Sequence, residues 1–230
     1  MRQKWPPAAQ AVLVFDRRQV SNRSIITLKV LVHAACLAPV AWLVWGLFQN
    51  TLGPDPVAHV TFFTGLGTLR LLILSLAITP VRKLTPKLSW LIRFRRLLGL
   101  YAFFYGSLHL LTYVGLYSGF SWAAILDDLK KRPYIWAGFT SWTLMVPLAL
   151  TSTTWSIRKL GGKRWQMLHR LAYVSAIAGV VHYWWIVKTG VRTPLTLTVV
   201  LGVLLAARPV LGWLDAQRKA RVLTAKAAAG

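Results

Sequence analysis

The chain has 230 residues, 56% of them hydrophobic, a mean hydropathy of +0.51 and only 14% charged residues, against roughly 25% in soluble globular chains. This excludes an ordinary soluble domain and predicts an all-α integral membrane protein. The charge is lopsided, 28 Lys+Arg against 5 acidic residues for a net +23, but the basic residues sit between apolar runs, which predicts anionic lipid and no nucleic acid as their partner.

About 20 mostly apolar residues cross the roughly 30 Å hydrocarbon core of a bilayer. Residues 1–24 carry Arg2, Lys4, Arg17, Arg18 and Arg23 and are predicted as a basic cytoplasmic segment. Ile25–Phe48 is the first span, read as retained because no small-x-small cleavage site follows it. Gly53-Pro54-Asp55-Pro56 marks a turn before the second span, Val60–Pro80. A basic loop holding Arg82, Lys83, Lys87, Arg93, Arg95 and Arg96 leads into the third, Leu97–Tyr117. Lys130, Lys131 and Arg132 precede the fourth, Tyr134–Trp155. Gly161-Gly162 lies before the fifth, Trp165–Val187, and Thr193-Pro194 before the sixth, Pro194–Trp213.

The expected fold is therefore a six-transmembrane-helix bundle over residues 25–213, with a cytoplasmic tail over 214–230. Twenty of the basic residues fall on one side of this arrangement and five on the other. The positive-inside rule then puts both termini in the cytoplasm. The connections are short and hold no GxGxxG fingerprint, so chemistry is expected within the spans or with partners. One cysteine, Cys36, excludes an internal disulfide and a CxxC dithiol. No internal repeat is evident along the chain.

Ionisable groups at membrane depth are costly, so each is a functional candidate. His33, His109, His169 and His182 fall within the spans, and His59 at the edge of the second. No HExxH occurs and no carboxylate neighbours an intramembrane histidine, which argues against a zinc hydrolase. Imidazole is a standard axial ligand of haem iron. At 1.5 Å per residue, His109 lies about 18 Å into span three, and His182 about 26 Å into the parallel span five. A haem pinned between them is the expected outer site. His169, about 6 Å into span five, marks a second level some 20 Å away. His33 is the one other histidine near that level and the candidate partner there, with helix–helix hydrogen bonding as its simpler use. Thirteen residues separate His169 from His182, which turns an ideal helix about 220° beyond whole turns. A bulge near Gly179 is the expected remedy.

Gly106, three residues before His109, is expected to let a flat macrocycle approach the backbone, or to serve close helix packing. Arg70, near the middle of span two, must face the interior or snorkel, and could meet a haem propionate or quinone oxygen. Arg95 stands fourteen residues before His109 and cannot ligate iron, because it keeps its proton. Its fork suits a haem propionate or a flavin phosphate.

The stretches RRLLGLYAFFYGSLHLLTYV (Arg95–Val114), RPYIWAGFTSW (Arg132–Trp142) and LTSTTWSIRKLGGKRWQMLHRLAYVSAIAGVVHYWW (Leu150–Trp185), with Ala77-Ile78-Thr79-Pro80, closely resemble the MsrQ (YedZ) family. That family supplies the haem-binding membrane subunit of the bacterial periplasmic protein-methionine-sulfoxide reductase system, within the wider ferric-reductase-like transmembrane group. The resemblance covers nearly the whole chain beyond its first twenty or so residues. It implies an inner-membrane b-type cytochrome with one or two haems, and FMN as a further cofactor. Electrons would come from membrane quinol or a cytosolic flavin reductase and pass to a periplasmic molybdopterin reductase resembling MsrP, where sulfoxide reduction occurs. The family's histidines map onto His109, His169 and His182. The wider group pairs two histidines on each of two helices. Here span three has one, with Arg95 at the vacant level, which leaves room for a flavin. The rival readings are a ferric or cupric metalloreductase and a non-redox membrane scaffold.

Overall fold

In the computed structural model, residues 21–188 and 190–228 are described, and among them every regular element is helical. The basic segment expected before Asn22 lies almost wholly outside the described residues. The elements are α1 (Asn22–Phe48), α2 (Pro56–Leu84), α3 (Ile92–Leu111), α4 (Trp122–Lys131), α5 (Pro133–Leu150), α6 (Thr154–Leu160), α7 (Gly162–Leu168), α8 (Leu171–Ile186) and α9 (Arg192–Ala228). A tight turn over Pro86–Leu91 joins α2 to α3, and a widened turn over Thr112–Tyr117 ends α3.

Local chemistry sets the boundaries. Ser21, Asp55, Ser121 and Thr153 each accept a hydrogen bond from a first-turn amide of the helix that follows, satisfying donors that a helix start leaves open. Pro56 and Pro133 occupy the first helical position of α2 and α5, where a missing N–H costs nothing. Gly161 takes φ +73° between α6 and α7, a conformation that favours glycine.

Among the described residues, four stretches are long and apolar enough to cross a membrane: Asn22–Phe48, Pro56–Leu84, Pro86–Tyr117 and Arg192–Ala225. The fourth and fifth apolar runs of the sequence are shorter as helices. α5 has 18 residues, and the expected Trp165–Val187 span is broken into α7 and α8 at His169 and Arg170. That break, rather than a bulge at Gly179, resolves the expected angular offset, because the two histidines do not share one continuous helix. Beyond the expected sixth span the helix continues: α9 runs from Arg192 to Ala228.

The core lies between α2, α3, α5 and α8. Leu69, Leu72, Ile73 and Leu76 of α2 meet Ala102, Met145, Leu148, Ala172, Ala176 and Val180. α1 packs outside this group through one stripe, Ile25, Cys36 and Leu43. Its other faces expose large apolar side chains, as do those of α9: Val30 is 61% exposed, Trp45 65% and Val203 61%. Apolar helices left bare in this way suit a lipid surround.

Pro80 sets the docking of α9. It lacks the N–H that would bond the Leu76 carbonyl one turn back. Arg208 Nη2 of α9 donates to that freed oxygen at 2.9 Å, and Arg208 Nη1 donates to the Tyr173 hydroxyl of α8. At the same end Lys83 pairs with Asp215 at 2.7 Å.

Candidate functional site: two cavities on one helix core

A cavity of about 320 Å3 opens between α2, α3, α5 and α8, and His109 and His182 both line it. Their rings stand 6.0 Å apart between centroids, at 83° to each other. Each is fixed the same way. His109 Nδ1 lies 2.8 Å from the Thr61 carbonyl, and His182 Nδ1 lies 2.6 Å from the Tyr134 carbonyl. A carbonyl only accepts, so Nδ1 carries the proton and Nε2 keeps its lone pair. This is the second-shell arrangement that orients a metal-binding histidine.

Glycines make room for both rings. A Cβ on Gly65 would come within 2.9 Å of the His109 ring, and one on Gly138 within 2.7 Å of the His182 ring. Any side chain at either position would displace the imidazole. Below them, a Cβ on Gly106 would meet Met145 at 3.1 Å, and one on Gly179 would meet Leu69 at 2.8 Å. Gly106 thus lines the cavity and also lets helices approach closely.

These pairs reveal a repeat that inspection of the chain misses. A shift of 73 residues carries Thr61, Gly65, Gly106 and His109 onto Tyr134, Gly138, Gly179 and His182. In both hairpins the histidine binds a carbonyl 48 residues earlier. Few other residues match across this shift, so the repeat lies in spatial roles more than in letters. It could have been found by sliding the histidine-bearing segments over each other and noting the coincident glycines.

A second cavity of about 60 Å3 is lined by Ser75, Leu76, Arg95, Arg96, Trp165 and His169, among others. His169 is held differently. Its Nε2 lies 3.1 Å from Thr151 Oγ1, whose own proton goes to the Pro147 carbonyl at 2.6 Å. The Thr151 oxygen must therefore accept, so His169 carries its proton on Nε2. Trp165 stacks on the ring at 3.8 Å between centroids. Under the 73-residue shift, His169 corresponds to Arg96, the neighbour of the expected Arg95. Both arginines line this cavity.

His33 and Arg70 line neither cavity. His33 Nδ1 lies 2.6 Å from the Tyr101 hydroxyl, bridging α1 and α3, and Arg70 is exposed on α2. Among the described residues no group of three or more His, Cys, Asp or Glu gathers as a metal site. The residues that sequence reasoning missed are the supports: Gly65, Gly138, Thr151, Trp165 and the carbonyls of Thr61 and Tyr134.

An apolar helical core with two opposed, identically prepared imidazoles defines a membrane-type protein built around a bis-histidine cavity. The chain belongs to the ferric-reductase-like family: the family described as "Ferric reductase like transmembrane component" matches residues 64–180, which include His109 and His169. Within it, the chain belongs with the MsrQ proteins. It is 46% identical over 194 residues to the "Protein-methionine-sulfoxide reductase heme-binding subunit MsrQ" of Xanthomonas axonopodis pv. citri, covering 82% of this chain and 88% of that one. The MsrQ of Xanthomonas campestris pv. campestris strain 8004 is 48% identical over 191 residues, covering 80% and 87%. That of Ralstonia nicotianae is 46% identical over 163 residues, covering 71% and 75%.

Proposed function

We propose that the chain is a six-span b-type cytochrome of the bacterial inner membrane, with both termini cytoplasmic. It passes electrons to a periplasmic methionine-sulfoxide reductase resembling MsrP. The observation that carries this reading is the opposed pair His109–His182, each with Nδ1 tied to a carbonyl and Nε2 left with its lone pair. His109 and His182 would be the residues that hold a metal centre, and the 6.0 Å between their ring centroids leaves room for one between the two imidazoles. The residues present therefore fit haem. When bound, haem iron accepts and releases one electron at a time. The chain's own part is to hold both histidines in one tautomer and to offer the group a cavity lined by glycines and apolar side chains, which would exclude water.

The same reading assigns the His169 cavity to a second cofactor, haem or FMN, on the cytoplasmic side, with Arg95 holding its anionic group. Electrons reach it from membrane quinol or a cytosolic flavin reductase. His33 and Arg70, away from both cavities, serve helix contact and lipid snorkelling in this reading. The sulfoxide chemistry belongs to the partner.

Redox-difference spectroscopy of the purified protein, with haem and flavin quantified, tests this. A bis-histidine b-type spectrum is expected. A colourless, folded protein expressed with ample haem would overturn the reading.

A further inference from the structure

At the end of the bundle where α4 lies, a line of polar contacts joins the two supports of the paired histidines. Its first half belongs to His109. Thr61, whose carbonyl holds the His109 ring, has its hydroxyl 3.2 Å from that of Thr112, and Thr112 donates to the His109 carbonyl at 2.7 Å. The next residue, Tyr113, lies in the widened turn that ends α3 and donates its hydroxyl to Asp128 Oδ2 of α4 at 3.1 Å. The second half belongs to His182. Asp128 Oδ1 pairs with Arg132 Nε at 3.2 Å, and Arg132 stands two residues before Tyr134, whose carbonyl holds the His182 ring. One carboxylate therefore bridges the segment that bears His109 and the segment that fixes His182.

The joint between α4 and α5 passes position on. Arg132 N–H donates to the Asp128 carbonyl at 2.8 Å, Ile135 N–H to the Arg132 carbonyl at 3.0 Å, and Trp136 Nε1 to the Leu129 carbonyl at 2.9 Å. Tyr134 is the second residue of α5. The first N–H groups of a helix have no partner within it, so the placement of Tyr134 depends on the joint before it. An exposed ion pair within one helix contributes little, and Lys131–Asp127 is of that kind, with side chains 69% and 55% exposed. Asp128 differs. Its side chain is 21% exposed, and it has a second partner fifteen residues away on another segment.

We propose that Asp128 is a positioning residue for the paired histidines. By holding Tyr113 and Arg132 together it sets the angle and spacing of the His109 and His182 rings. This rests on the reading that the two rings hold one group between them, and it gives α4 a part in the site although no α4 residue lines the cavity.

The test uses the purified full-length protein. The low-spin electron paramagnetic resonance signal of its haem reads the ring angle, and haem transfer to apomyoglobin reads the grip. Asp128→Ala removes both contacts and should shift the signal and speed haem loss about tenfold, the lower end for a hydrogen bond to a charged group. Tyr113→Phe removes one contact and should give a smaller shift in the same direction. Asp128→Asn keeps an oxygen for the Tyr113 hydroxyl and should stay close to the intact signal. Asp127→Asn breaks only the neighbouring pair and should change neither reading. A merely structural Asp128 would lower thermal stability and leave the signal of the folded variant where it was, and that outcome overturns the proposal. So does an equal shift in Asp127→Asn. If Asp128→Ala does not fold, Tyr113→Phe decides, and an unshifted signal there overturns the bridge. Intact protein that takes up no haem overturns the haem reading instead. In that protein the nitrogen-15 resonance of His182 Nδ1 still reports the hydrogen bond to Tyr134. It should move in Asp128→Ala and in Tyr113→Phe, and a fixed resonance overturns the positioning role.

Discussion

The two cavities share a helix core, and the 73-residue repeat gives them matching positions, yet they treat histidine in opposite ways. At the His109–His182 cavity both rings give their Nδ1 proton to a backbone carbonyl and keep Nε2 as a base. At the smaller cavity His169 has its Nε2 proton on Thr151 and is stacked under Trp165, and the repeat supplies an arginine where a second histidine would stand. The backbone carbonyls fix the first tautomer rigidly. A threonine hydroxyl, one rotation from another partner, fixes the second less firmly. Symmetric support suits one metal between two equal ligands. The asymmetric site, rich in arginine, suits a group that brings its own negative charge.

The largest expected effect would come from breaking the symmetric site. His109→Ala or His182→Ala should each abolish the same haem signal, measured by pyridine haemochrome and redox-difference spectra. Retention of a bis-histidine spectrum in either folded variant would disprove the pairing.

Filling one of the supporting glycines comes next. Gly138→Val or Gly65→Val puts side-chain atoms where a Cβ alone already falls under 3.0 Å from the ring. Such overpacking costs ~1–3 kcal/mol, so haem content should fall about tenfold at limiting haem. The imidazole should be driven off its carbonyl, with a changed low-spin signal in electron paramagnetic resonance. The matched geometry predicts similar losses at both positions, and a large loss at only one would show that the two supports are not equivalent.

A third variant sharpens the contrast. His169→Ala should spare the paired-histidine haem and slow its reduction from the cytoplasmic side in stopped-flow experiments. Loss of all haem from this variant would mean that the cavities are not independent.

Arg95→Lys should act more mildly. It keeps the charge that topology needs but loses the fork. Insertion and the paired-histidine haem should survive, while flavin content or reduction rate falls by up to about tenfold. Unchanged flavin and kinetics would leave Arg95 as a loop charge.

The smallest effect should come from Asp55→Ala, which removes the cap at the start of α2 and costs about 1 kcal/mol. Both cavities rest on α2, so thermal stability should drop a few degrees with no preference between haem and flavin losses.

Much of the site was legible in the chain because burying an ionisable residue in an apolar run needs a reason. His109, His182 and His169 stood out on that ground, Arg95 by standing fourteen residues before His109, and depth counting placed the first two in the same half of the bilayer. Glycine and backbone carbonyls carry no such mark. Gly65 and Gly138 look like any small residues in a span, and which carbonyl takes a histidine proton depends on how two helices cross. His33 was equally conspicuous, yet it lines neither cavity, because the rotation of α1 turns it to Tyr101.

By itself the sequence determined the helical class, the order of the apolar runs and the chemical character of the candidate ligands. Those follow from hydropathy and residue type, which act locally along the chain. Only the tertiary structure decided which histidines face each other, which tautomer each adopts and where the long fifth run breaks. It also decided that Arg208, 132 residues from Leu76, sits on the oxygen freed by Pro80. Those outcomes depend on the rotation and crossing of helices distant in sequence, and side-chain packing in the assembled bundle sets them.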